Sequence, residues 1–153
     1  MADMISKSTA IVRASVISSS VAPTGPVIYT HYQLRVTERY KGPAQATVDL
    51  ALPGGIAGGV QQVFSGVPQL HPGEEYIFFL YTGKSGLTQV IGLTQGLFAV
   101  TENSKDPALT RAASHETMLD RATGRQVQDR TLTTTLSALK SQIASGLAAQ
   151  GGK

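Results

Sequence analysis

The sequence predicts a mainly β protein, built as a small closed barrel or a sandwich. Three observations predict it. The block 9–100 never passes through a helix-length hydrophobic pattern. Its apolar segments, 9–18, 27–40, 46–52, 75–81 and 89–100, have strand length and are rich in Val, Ile, Leu, Tyr and Phe. Clusters of Gly, Pro or Ser separate them, as turns between short strands require. The 16 glycines and 7 prolines of the 153-residue chain suit so many turns.

Residues 2–7 are expected to form a short N-terminal helix, with Met4 and Ile5 packing inward. In the first strand Val12, Ala14 and Val16 alternate with Arg13, Ser15 and Ile17, a period of two. Residues 18–26, three serines followed by Ala-Pro-Thr-Gly-Pro, read as a loop. The second strand puts Tyr29, His31, Gln33, Arg35 and Thr37 on one face. Thr30, Tyr32, Leu34, Val36 and Glu38 lie on the other. The second set is more apolar, so it faces inward and His31 and Arg35 face outward. Tyr40-Lys41-Gly42-Pro43 closes this strand as a turn.

The third strand, 46–52, leads into Pro53-Gly54-Gly55-Ile56-Ala57-Gly58-Gly59, a glycine loop. Residues 60–67 are a short strand or an extended edge. His71-Pro72-Gly73-Glu74 is a turn before the most apolar strand, 75–81. After a hairpin connection at 82–86, the segment 89–100 carries Gly92 and Gly96, which mark a bulge or a barrel corner.

Composition turns polar at Thr101. The stretch 101–130 reads as an insert with one hairpin, whose tip Ala122-Thr123-Gly124-Arg125 joins 117–120 to 126–127. Leu132, Leu136, Leu139, Ile143 and Leu147 then recur at three- and four-residue spacing. That is the stripe of an amphipathic C-terminal helix over 131–147, N-capped by Thr131 or Thr133 and docked on the core. Residues 148–153 are expected to fray. No internal repeat occurs, and 1–153 reads as a single domain.

Composition narrows the function classes. Hydrophobic residues make up 41% and charged residues 15%, with 13 basic against 10 acidic groups. The basic residues are scattered instead of clustered on one element, so nucleic acid is not a favoured partner. No apolar run approaches the ~18 residues of a membrane span. There is no cysteine, hence no disulfide, thiolate metal site or Cys nucleophile. Residues 1–10 lack an apolar signal core. The chain is therefore cytoplasmic, or secreted to the envelope or beyond with its signal peptide removed.

Catalytic patterns are absent as well. Gly54 and Gly59 have phosphate-loop separation, but Val60-Gln61 follows instead of Lys and Ser or Thr. Gly83-Lys84-Ser85 has that ending, but Phe78 occupies the position of the first glycine. His31, His71 and His115 have no metal-ligand spacing and read as surface side chains. No Gly-x-Ser-x-Gly occurs. Glu74-Glu75 and the separated Asp49, Glu102 and Asp106 would make a carboxylate dyad only if the fold gathered them. The expectation is no enzyme, no cofactor and no metal. The aromatics Tyr29, Tyr32, Tyr40, Phe64, Tyr76, Phe78, Phe79, Tyr81 and Phe98 fill the core, or else some form a stacking face beside Arg35.

The order of these features resembles the netrin-like module, the OB-fold domain of the tissue inhibitors of metalloproteinases. Ala10-Ile11-Val12-Arg13-Ala14-Ser15-Val16 looks like that family's first strand. The stretch 32–43, closed by Tyr-Lys-Gly-Pro, looks like its second strand and exit turn. Pro72-Gly73-Glu74-Glu75-Tyr76-Ile77-Phe78-Phe79-Leu80 looks like its central strand. A terminal helix packed on the barrel is also similar. The likeness covers 9–100 and that helix. It implies a five-stranded OB-like barrel and binding of another protein through barrel-rim loops, in its sharpest form inhibitor-like action on an extracellular protease.

The family's functional cysteine, which chelates the protease zinc, has no counterpart here, so that contact does not carry over. The family's disulfides are missing too, and the cysteine-free form looks more like an exported bacterial relative. What the resemblance implies is the surface: the loops 19–26 and 53–59 would flank the binding ridge. Thr24, Gly25, Gly54, Gly55, Gly58, Gly59 and Phe64 are the candidate partner-binding residues. An oligosaccharide or single-stranded nucleic-acid binder is one alternative. An assembly protein whose edge strands pair with a neighbour is the other. The sequence leaves the oligomeric state open.

Overall fold

A computed structural model describes residues 2–64, 67–68, 70–92, 95–101, 105–111, 118–119, 126–127 and 132–151. It is mainly β, as expected. In chain order the elements are α1 (Ala2–Lys7), β1 (Ala10–Thr24), β2 (Val27–Lys41), β3 (Thr47–Pro53), β4 (Gly55–Ala57), β5 (Val60–Gln62), β6 (Glu75–Thr82), β7 (Thr88–Val90), β8 (Leu97–Val100), β9 (Ala108–Arg111), β10 (Met118–Leu119), β11 (Gln126–Val127), β12 (Leu132–Thr135) and α2 (Leu136–Gly151).

The main sheet has eight strands, not five, in the order β1-β2-β3-β7-β6-β8-β9-β12. β1 also pairs with β6, so the series β1-β2-β3-β7-β6 returns to its start. Its contacts are antiparallel except between β3 and β7, where Leu50 lies parallel to Thr88. β4 with β5, and β10 with β11, form separate two-stranded sheets. The β10–β11 pairing is the hairpin expected in the polar insert; its tip, 122–125, lies outside the described residues.

β6 explains its own composition. Tyr76, Phe78 and Leu80 enter a core inside the ring with Val12, Leu34 and Leu50. Ile77 and Phe79 point the other way, into a second core with Ile5, Ile11, Phe98, Leu109, Leu139 and Ile143. A strand buried on both faces has no polar alternation to show.

The predicted strand 89–100 is two strands. One edge of β6 lies against β1. The other is divided: β7 pairs with Leu80–Thr82 and β8 with Tyr76–Phe78. β7 and β8 both run antiparallel to β6, so the chain keeps its direction and bulges out between them, as the glycines suggest, with Gly92 at φ +63°. The loop is clamped on Phe79, whose N–H donates to Gly96 O (2.8 Å) while its carbonyl accepts from Ile91 N (3.0 Å). A Cβ at Gly96 would lie 2.8 Å from the Ile91 carbonyl and 3.0 Å from that of Phe79, so only glycine fits.

The C-terminal helix begins later and ends later than the spacing predicts. Residues 132–135 pair with β9 as strand β12. Three consecutive threonines, stiff at χ1, favour that extended state. β9 itself lay hidden in the polar stretch, with Leu109 as its buried residue. The helix cap is Thr135 in place of Thr131 or Thr133: Ala138 N donates to Thr135 Oγ1 at 3.3 Å. Asp106 adds a second cap, accepting from Ser137 N (2.7 Å) and Ser137 Oγ (2.8 Å). Leu136, Leu139 and Ile143 are buried as predicted, and Leu147 packs beside them. The helix continues to Gly151, through residues expected to fray. At the other end of the chain α1 spans the predicted residues, and Ile5 is buried with Met4 packed beside it.

The double cap predicts a pH effect. The Ser137 hydroxyl and amide bonds hold the Asp106 carboxyl below its ordinary range. A depressed folded-state pKa contributes stability above the ordinary Asp value, about 3.9, and that contribution fades as pH falls through the lower folded value. The protection factor of the Ser137 amide, its exchange rate taken relative to the intrinsic rate at each pH, should therefore fall below about pH 4 in the wild type. In Asp106→Asn that acid step should be absent.

Candidate binding surface at the hairpin end

Two segments expected as loops are strands, and they meet. β1 does not stop at Ser18 but runs to Thr24, and β2 starts at Val27. Only Gly25 and Pro26 turn the chain. Gly25 has φ +60°, and proline fixes a negative φ next, the φ signs of a II′ hairpin turn. Serines are poor strand formers alone. Here the ladder to β2, from Ser18↔Gln33 to Thr24↔Val27, holds them extended. The glycine segment is likewise a hairpin, with Ala57 opposite Val60. Gly58 and Gly59, at φ +56° and +79°, supply the two left-handed positions of a I′ turn.

The β4–β5 hairpin is fastened to the long β1–β2 hairpin. Gly54 N donates to Ile28 O at 2.7 Å, and Thr30 Oγ1 donates to Gly54 O at 2.9 Å. At Gly55 (φ +139°) a Cβ would come within 3.1 Å of both Val21 Cγ1 and Thr30 Oγ1. Gln62 completes the join. Its Oε1 accepts from Ile28 N (2.7 Å), and its Nε2 donates to Pro26 O (2.9 Å).

The structure therefore brings Gly54 and Gly55 onto β2, with the Phe64 ring 3.7 Å from the Cβ position of Gly54. Thr24 and Gly25 sit at the hairpin tip beside Pro26. Gly58 and Gly59 stand at the other tip, with open space where side chains would be. A cavity of about 280 Å³ opens beneath β4–β5, lined among others by Tyr32, Leu52, Gln62, Phe64 and Val67.

The surface here is apolar and uncharged. Val63 is 80% exposed, Ile56 63%, Val60 55% and Phe64 41%, with Val21 also exposed. None of the 13 basic and 10 acidic residues falls within 14–34 or 50–73. Gln62, Val63 and the exposed face of β4–β5 were not among the candidates from sequence. The charge gap was legible there as two long runs without Asp, Glu, Lys or Arg.

Three ion pairs among the described residues lie elsewhere. His31, on the outward face as predicted, pairs through Nδ1 with Asp49 Oδ1 at 3.1 Å. Arg13 binds Glu75. Lys140 of α2 binds Glu38 at 2.8 Å and sits 5.9 Å above the Tyr40 ring. Burial, with Glu38 nearby, pushes the Tyr40 phenol well above its ordinary range. Burial, with Glu74, does the same to Tyr76. Among the described residues no three His, Asp or Glu side chains gather as a metal site, and no helix is long and apolar enough to cross a membrane. Tyr32, Tyr76, Phe78, Phe79 and Phe98 are buried, while Phe64 and Tyr81 are exposed. No known protein family, curated protein or solved structure matches the chain.

Proposed function

We propose that this protein is a non-enzymatic binding module of OB-like architecture that engages another protein through its hairpin end. The cyclic order β1-β2-β3-β7-β6, with its one parallel contact between β3 and β7, supports a five-stranded OB-like barrel. β4–β5 is then an insertion at the rim, and β8, β9 and β12 extend the sheet. The observation that carries the functional reading is the surface itself: exposed Ile56, Val60, Val63 and Phe64 in a region without charges. Contiguous exposed apolar surface marks interaction sites, and interface cores are depleted of charged residues.

A lipid surface is a weaker match, because interfacial binders set Lys and Arg beside their apolar face. The oligosaccharide or single-strand reading has less support too, since Tyr32 is buried and Tyr29 and Tyr40 are half-buried. The sharpest form of the proposal is inhibitor-like or accessory action on an extracellular protease, without the zinc contact that a cysteine would make.

The test is crosslinking of the purified protein to secreted and envelope fractions, wild type against a Val63→Asp/Phe64→Asp double variant. Both side chains are exposed, so the variant should fold. The expected result is a discrete crosslinked protein partner that the variant captures at least tenfold less. Identical crosslinking profiles for the two proteins would overturn the reading. The protease form is checked by adding the captured partner's peptide substrate, with and without the module.

A further inference from the structure

β1 is paired on both sides only over its first half. Residues Ala10 to Ser15 face β6. Val16 N then donates to Glu74 O, and Gly73 N donates to Val16 O. After the irregularity between Val16 and Ser18, the strand pairs with β2 alone among the described residues. Among the described residues nothing pairs with its other edge from Ser18 to Thr24, and every residue there is exposed.

The ladder shows which backbone groups face that edge. Ile28 sends its N–H to Gln62 and receives Gly54 N at its carbonyl, both away from β1. Its partner Pro23 therefore sits in a non-hydrogen-bonded pair. The pairs Val21↔Thr30 and Ser19↔Tyr32 share that parity. The N–H and C=O groups of Ser19 and Val21 thus point out of the sheet. Open edges are normally blunted by charge, proline or cover. Among the described residues only Pro23 does so here, and its missing N–H ends the run of donors.

We infer that β1 pairs with β1 of a second copy, antiparallel about a two-fold axis at Ser20. In that register Ser19 of one copy faces Val21 of the other, and the reverse. Each such pair exchanges both of its N–H···O bonds. Three properties select a second copy as the occupant. A two-fold contact sets each residue near its own kind, so any charge there would meet its like, and 14–34 carries none. Ser18, Ser19 and Ser20 are small enough for close approach. The same register places Pro23 opposite Ile17, the residue left over by the irregularity, so the ladder closes as a dimer and does not grow.

Light scattering across a concentration series tests this directly. The expected result is a concentration-dependent dimer. Val21→Pro removes an outward N–H that β2 does not use, so the β-sheet circular dichroism should stay and the dimer weaken at least tenfold. Ser20→Cys, in a chain with no other cysteine, should give a disulfide-linked dimer on mild oxidation. Its partner is itself across a non-hydrogen-bonded pair, where Cα atoms lie about 4.5 Å apart. A monomer at every concentration up to about 1 mM would overturn the inference. So would a dimer that Val21→Pro leaves unchanged.

Discussion

Phe79→Ala should lower the unfolding free energy by about 4 kcal/mol, a typical loss for removing a buried aromatic ring. Phe79 is completely buried, and its ring packs against Phe98 at 5.8 Å between centroids. It stands in the core shared by β6, β8, β9, α1 and α2, so the cavity would open where several elements meet. Its backbone, meanwhile, clamps the loop between β7 and β8. The substitution removes the ring and spares the clamp. Urea unfolding should therefore show a lower midpoint with the slope unchanged. Small domains are stable by only about 5–15 kcal/mol, so much of the total would go. A loss under about 1 kcal/mol would mean that this second core is not packed as described.

Gly42→Ala should cost about 3 kcal/mol, by a different mechanism. Gly42 ends the second strand at φ +97°, a conformation that costs a side-chain-bearing residue on the order of 1–3 kcal/mol. A Cβ there would also lie 2.7 Å from the Thr9 carbonyl and 2.9 Å from Ala10 Cβ. The first of these is backbone and cannot turn aside. The neighbouring Lys41 donates from Nζ to the carbonyls of Ile5 (2.7 Å) and Ser6 (3.3 Å). A shift at Gly42 would therefore loosen α1 as well. The check is thermal unfolding alongside amide exchange in residues 4–8. Exchange there should rise more than in β6.

The elements read correctly from sequence are those whose signal is local. Val12, Ala14 and Val16 alternate because they line one core, and the apolar run of β6 reflects two. The elements misread are held by partners far along the chain. Residues 18–24 look like a loop until β2 is laid beside them. Leu132 fits the helical stripe by spacing, yet Thr133, Thr134 and Thr135 follow β9. The segment 89–100 reads as one strand; Gly92 and Gly96 do mark the bulge between β7 and β8, but nothing local shows that the two pieces pair separately with β6. At the candidate surface, Gly54, Gly55 and Phe64 were legible as unusual residues. Gln62 was not, because its importance lies in reaching Ile28 and Pro26, across a sequence gap of more than thirty residues.

The missing charges at the hairpin end also govern how fast anything can arrive there. With no Asp, Glu, Lys or Arg within 14–34 or 50–73, little local field steers a molecule approaching this end. Association at this end should proceed at the unsteered rate, about 10⁵–10⁶ M⁻¹s⁻¹, and ionic strength should hardly change it. Any tightness must then come from slow departure, through water expelled around Ile56, Val63 and Phe64. Such contacts persist equally in dilute and salty surroundings.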